Sequence, residues 1–180
     1  SIDLKMYDSA REYFLKAIEL DPTNSTFIYN AAIACEKLND YDCSDRLFSN
    51  LFKINEIPFI YNDYAYMIAN RKKVTIEKLE YALGLVEFAL ESEPNNYAFL
   101  DTKGWIFFKL KDLDSAEKYI KRAFNKNQNS KEVLEHLADI YYDSNKLVEA
   151  KEIYNKLLEM DYNTNKSKER IELIDDRYKE

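Results

Sequence analysis

The sequence predicts an all-α solenoid of antiparallel helix pairs, closed by a C-terminal capping helix. Two observations carry that reading. The first is composition: two Gly and three Pro among 180 residues leave almost no turn chemistry for a sheet, while 46% apolar and 33% charged content describe a folded chain. The second is a period. LDTKGWIFFKLKDLDSAEKYIKRAF aligns with LEHLADIYYDSNKLVEAKEIYNKLL so that Gly104 meets Ala138, Phe107 meets Tyr141 and Ala116 meets Ala150, each pair 34 residues apart.

The elements follow from that period. Residues 1–24 form a half repeat, a second helix without its first, with Ala10, Phe14 and Ala17 as its apolar face and Asp21-Pro22 as its stop. The repeat over 25–57 places Ala32, Cys35, Ser44, Phe48 and Leu51 in the shared slots, and the repeat over 58–96 places Ala65, Ile68, Ala82, Val86 and Ala89 there. The repeats over 97–130 and 131–164 carry the first pair of aligned stretches. Residues 165–180 form a last helix with a thin apolar stripe of Ile171, Leu173 and Ile174, the polar cap that a solenoid end requires. The unpaired half repeat leads us to expect that the natural protein continues upstream. Its open end face is also a place where two copies can dimerise.

Small residues recur in the first helix (Ala32, Ala65, Gly104, Ala138), a small residue recurs in the second (Ala10, Ser44, Ala82, Ala116, Ala150), and Pro22 and Pro94 follow second helices. In these residues the chain resembles the tetratricopeptide repeat (TPR) family over nearly its whole length. That family's pattern is a 34-residue helix–turn–helix unit with a small residue for close helix contact. The resemblance implies a right-handed superhelix whose first helices line a concave groove. Runs such as DTKGW and EHLAD are similar to those of bacterial TPR proteins, envelope lipoproteins among them. This points to a bacterial source and the cell envelope (periplasm), with the cytoplasm as the alternative.

Besides the half repeat at the start, Lys103 and an insertion depart from the pattern. Lys103 stands where the family has Leu, and its stem is expected to lie along the seam with the ammonium in water. Alanine fills the slot of Gly104 elsewhere, so alanine is expected to be tolerated there too. The span from Ala65 to Ala82 is 17 residues where the other repeats have 12, so five extra residues lie near Asn70–Val74. Thr75 is placed to cap the helix that follows. The basic run Arg71-Lys72-Lys73 reads either as a contact loop for an acidic partner or, more simply, as a solvated loop.

Catalytic chemistry is not encoded in any recognisable form. The one histidine, His136, reads as an ordinary surface or inter-repeat residue, and two glycines cannot build a phosphate or dinucleotide loop. Cys35 and Cys43 match no metal or redox motif; they can pair, but two free thiols with at least one buried is the simpler reading. The expectation is no enzyme, no cofactor and no metal site. Net charge −7 and pI ≈ 5.0 argue against a nucleic-acid footprint, and no apolar run approaches the roughly 20 residues of a membrane span.

Binding remains, and the resemblance assigns the groove-facing slots. These are Tyr29, Tyr66, Asp101, Trp105, Phe108, Glu135, Asp139 and Tyr142, an aromatic stripe that turns acidic toward the C-terminal end. Trp105 and Tyr66 are either anchors for a partner or packing residues between neighbouring first helices. The expected function is a scaffold that binds a protein or peptide with basic and apolar residues. The second reading is an accessory or assembly domain of a larger bacterial envelope protein or enzyme whose chemistry lies outside this chain.

Overall fold

A computed structural model describes residues 2–177. Residues 1 and 178–180, at the outer ends of the expected half repeat and capping helix, lie outside the described residues. Ten α-helices and no strand are present among the described residues. They are α1 (Ile2–Leu20), α2 (Ser25–Lys37), α3 (Tyr41–Ile54), α4 (Pro58–Ala69), α5 (Ile76–Ser92), α6 (Tyr97–Lys109), α7 (Leu113–Lys126), α8 (Lys131–Asp143), α9 (Leu147–Glu159) and α10 (Thr164–Arg177).

The helix pairs turn without glycine. At the end of α2, α6 and α8, Asn39, Lys111 and Asn145 adopt left-handed conformations with φ of 60°, 66° and 59°. The next amide then bonds back to the carbonyl five residues earlier: Asp40 to Cys35, Asp112 to Phe107, Lys146 to Tyr141. This closes orphan carbonyls of the helix end, as a Schellman turn does. The following helix starts under a side-chain cap at α3 and α7, where Asp40 accepts from Cys43 N and Asp112 from Ser115 N. Thr75 caps α5 through Lys78 N, as expected.

The small-residue slots of the complete repeats are buried to the limit. Ala32, Ala65, Ala82, Ala116, Ala138 and Ala150 expose nothing. Gly104 is more demanding than the sequence implies: a Cβ there lies 2.6 Å from Ile120 Cγ1 and 3.0 Å from Ile120 N. Alanine is therefore not an equivalent in this slot, because α6 and α7 approach too closely. The α3–α4 joint solves the same problem the other way. These two helices approach less closely along their backbones than the other sequential pairs, and rings fill the space: Phe48 stacks on Tyr64 at 4.1 Å, Phe52 on Tyr61 at 4.0 Å.

The insertion after α4 is not merely a solvated loop. Lys72 and Lys73 are exposed, but Arg71 folds inward and is only 9% exposed. Its guanidinium donates through Nε and Nη2 to the two Glu36 oxygens (3.0 and 2.8 Å) and to Asp45 Oδ1 (2.6 Å), and it covers the Tyr41 ring at 4.5 Å. One side chain thus ties α2, α3 and the α4–α5 loop together. Lys103 also differs from expectation. Its ammonium is not only hydrated but pairs at the surface with Glu87 at 2.8 Å, over the Tyr119 ring. Cys35 and Cys43 are not free thiols: they form a disulfide that staples α2 to α3. The Asp40 carboxylate lies within 4.8 Å of both sulfurs, but bonded sulfurs offer no thiolate to a metal. No helix of the described residues is long and apolar enough to cross a membrane.

Candidate functional site on the concave face

Curvature can be read from which helices meet. The first helices α4, α6 and α8 touch one another in sequence, whereas α5 and α7 stay further apart. These three first helices therefore line the inner face; Tyr66, Asp101, Trp105, Phe108, Glu135, Asp139 and Tyr142 lie on them, and Tyr29 lies on α2.

Most of them are already engaged. Tyr29 donates to Asp63 Oδ2 at 2.7 Å. Asp101, 6% exposed, holds both oxygens 3.0 Å from His136 Nδ1. Trp105, 8% exposed, donates from Nε1 to Asn70 Oδ1 at 3.1 Å and lies between the His136 ring (4.1 Å) and the Phe108 ring (4.9 Å). These contacts form a ladder. Tyr29 and Asp101 stand three residues before their helix's small residue (Ala32, Gly104). Their partners Asp63 and His136 stand two residues before the next one (Ala65, Ala138). Each rung joins neighbouring first helices, so it fixes the angle between repeats.

Helix α10 closes the acidic end. It packs on α9 and reaches across to α8. Lys166 bonds Glu135 Oε1 and Asp139 Oδ2, both at 2.6 Å. Asp139 also accepts from Tyr154 at 2.7 Å. Arg170 and Arg177 lie over the Tyr142 ring at 4.4 and 4.8 Å, and Arg177 donates to the Tyr142 hydroxyl. Asp139 and Tyr142 are buried beneath this basic cover. Burial works against the Lys166 ammonium, but Asp139 and Glu135 hold its pKa above the ordinary lysine value. Burial raises the Tyr154 phenol well above its ordinary value, and Asp139 adds to it.

The middle of the inner face stays open. Tyr66 is half-buried and separates two hollows. One, about 310 Å³, is bounded by Tyr41, Met67 and Asn70 at the C-terminal ends of α2 and α4. The other, about 260 Å³, lies between α4, α6 and α8 and is bounded by Asn62, Asp63, Asp101 and Glu132. Burial raises the Tyr66 phenol pKa, with Asp101, Glu135 and Glu132 adding to it, so the field here is negative. His136 is an inter-repeat residue, not a surface one, and it joins the aromatic stripe, 6.0 Å from Tyr66 and stacked on Trp105. The sequence reading did not assign Asn70, Arg71, His136 or, in α10, Lys166, Arg170 and Arg177 to this face. A search for polar pairs one repeat plus one residue apart finds several of them. Glu36–Arg71, Asn70–Trp105, Asp101–His136 and Tyr142–Arg177 are all separated by 35.

A curved stack of helix pairs with a preorganised inner face defines a helical-repeat scaffold, a class that works by holding other proteins. Tetratricopeptide repeat models match residues 1–24, 13–42 and 107–166. The TPR repeat-containing protein MJ1428 of Methanocaldococcus jannaschii is 31% identical over 139 residues, 77% of this chain. The chain belongs to the tetratricopeptide repeat family. It spans 18% of the length of that relative. Among solved structures, TTC0263, a thermophilic TPR protein in Thermus thermophilus, superposes with a TM-score of 0.76 at 22% identity, over 96% of this chain and 92% of that one. PilW, described as a widely conserved type IV pilus biogenesis factor, gives 0.72 at 21% identity over 83% and 68%. At these identities the likeness is one of fold.

Proposed function

We propose that this chain is a non-catalytic scaffold that binds an extended segment of a protein partner across α4 on the concave face. The observation that carries this reading is the pair of hollows flanking Tyr66 on a face otherwise held rigid by its rungs. A rigid face saves a binder the entropy of ordering its own side chains, and a half-exposed ring between two hollows suits a chain whose side chains drop on either side. Of the sequence-assigned residues, Tyr29, Tyr66, Phe108 and Glu135 supply contact surface, while Asp101, Trp105, Asp139 and Tyr142 hold it in shape. Selection from a random peptide library, with bound peptides mapped by NMR, tests this. Shifts at Tyr66 and its neighbours, abolished by Tyr66→Ala with helicity intact, are expected. Peptides that map to the convex second helices, or no selection at all, contradict it.

A second reading, an assembly or accessory domain of a longer protein, is favoured by the much greater length of the curated relative. An envelope location draws support from the disulfide, since such bonds persist in oxidising compartments.

A further inference from the structure

Away from the groove, the outer faces of two second helices carry opposite charge. On α5 the exposed Glu80, Gly84, Glu87 and Glu91 recur at helical spacing and form one stripe. On α7 the exposed Lys118, Arg122 and Lys126 form another. Lys103 of α6 stands between them: its ammonium bonds Glu87 of α5 and lies 4.7 Å from the centre of the Tyr119 ring of α7. Glu80, Glu91, Lys118 and Lys126 have no ion-pair partner among the described residues. Arg122 reaches only the Pro94 carbonyl, at 3.5 Å, and the Tyr119 ring. The chain carries a net −7, yet this face sets Lys118, Arg122 and Lys126 beside Glu80, Glu87 and Glu91.

Gly84 has no role inside one molecule. A Cβ there meets nothing within 4 Å, and its φ is not left-handed. Glycine also weakens a helix interior. What it provides is a flat spot in the middle of the acidic stripe, where the backbone of another helix can come close.

The charges select that helix. The acidic stripe of α5 calls for cations at helical spacing, and α7 has them. The two stripes face outward side by side, so they cannot meet within one molecule. A two-fold axis between them brings them together. It lays α7 of a second copy antiparallel on α5 and, by symmetry, α5 of that copy on α7. In this antiparallel register Glu91 meets Lys118 of the second copy, Glu87 meets Arg122, and Gly84 lies under Asn125.

We infer that a second copy of this chain docks on the outer faces of α5 and α7, forming an isologous, salt-sensitive dimer. The groove stays open in both copies, so the pair presents two grooves to its partners.

The test is sedimentation equilibrium of the intact chain at about 0.1 M and about 1 M salt, where the screening length falls from about 10 to about 3 Å. A dimer is expected at the lower salt, with affinity falling about three- to tenfold at the higher. Glu91→Lys and Lys118→Glu alter exposed residues and keep the fold, which circular dichroism checks. Each alone makes both symmetry-related pairs like-charged and is expected to be monomeric. Mixed in equal amounts, they restore both pairs and are expected to form a mixed dimer. Gly84→Gln is expected to keep the helix but weaken the dimer about tenfold by filling the flat spot. A monomer at both salt concentrations overturns the inference. So does a dimer that either charge variant leaves intact, since it then uses another face such as the open end at α1. A mixture that stays monomeric overturns it as well.

Discussion

Two glycines make opposite predictions at the scale of single residues. At Gly104 an added methyl collides with Ile120, a branched side chain on a closely packed helix. Gly104→Ala is expected to destabilise the fold by about 1–3 kcal/mol, the range for overpacking. At Gly84 nothing lies within 4 Å of the added atom, in the middle of α5. Gly84→Ala is expected to stabilise by up to about 1 kcal/mol through helix propensity. Urea midpoints of the two variants check both signs. Arg71 is a third such residue. Arg71→Met leaves the buried Glu36 without its partner and takes one of three donors from Asp45, which keeps Lys78 and Tyr64; it is expected to cost about 3 kcal/mol. Arg71→Lys recovers little, since a point ammonium cannot bond Glu36 with two parallel donors.

The carboxylates respond to acid in a defined direction. Burial pushes Asp45 up, but hydrogen bonds from Arg71, Lys78 and Tyr64 hold it, on balance, below its ordinary 3.8. Glu117 is held below its ordinary 4.5 in the same way by Lys121 and Lys146, against the effect of burial. A group whose folded pKa is lowered stabilises the fold fully above its unfolded value and loses that contribution as pH falls through the folded value. Stability is therefore expected to be level above about pH 5 and to fall below about pH 4. Asp45→Asn should flatten that acid limb in urea titrations at several pH values.

At the scale of elements, α10 is the cover of the last repeat. Removing residues 164–180 leaves Glu135, Asp139 and Tyr142 without Lys166, Arg170 and Arg177, and uncovers the apolar contacts of Ile174. Lower thermal stability and self-association at low salt are expected, measurable by calorimetry and light scattering. The sequence made this helix legible as a cap but not its reach across α8. A period states which slots repeat, and those slots hold the helix contacts: Ala32, Ala65, Ala138 and Gly104 are buried as the period requires. It does not state the angle between repeats, and that angle decides which polar groups meet. Hence Trp105 was legible as a first-helix residue while its bond to Asn70, at the edge of the insertion, was not. Arg71 escaped for a related reason: an insertion has no equivalent slot elsewhere to predict where its side chain goes.

At the scale of the whole molecule, stability is a sum of helix-pair and joint terms, so a local staple matters locally. The Cys35–Cys43 bond closes a short loop within the first complete pair. Reduction is expected to lower stability by about 2–3 kcal/mol on the chain-entropy account. Thiol labelling under native, non-reducing conditions should find no reactive cysteine, and the same protein after reduction and unfolding should show both. The solitary tryptophan has a practical consequence. Its indole meets Asn70 just past the end of α4, Phe108 of its own helix α6 and His136 of α8 at once. Its emission is thus a built-in gauge of the superhelical pitch. Any occupant that spreads or tightens these three helices changes that fluorescence, without a label and at micromolar protein.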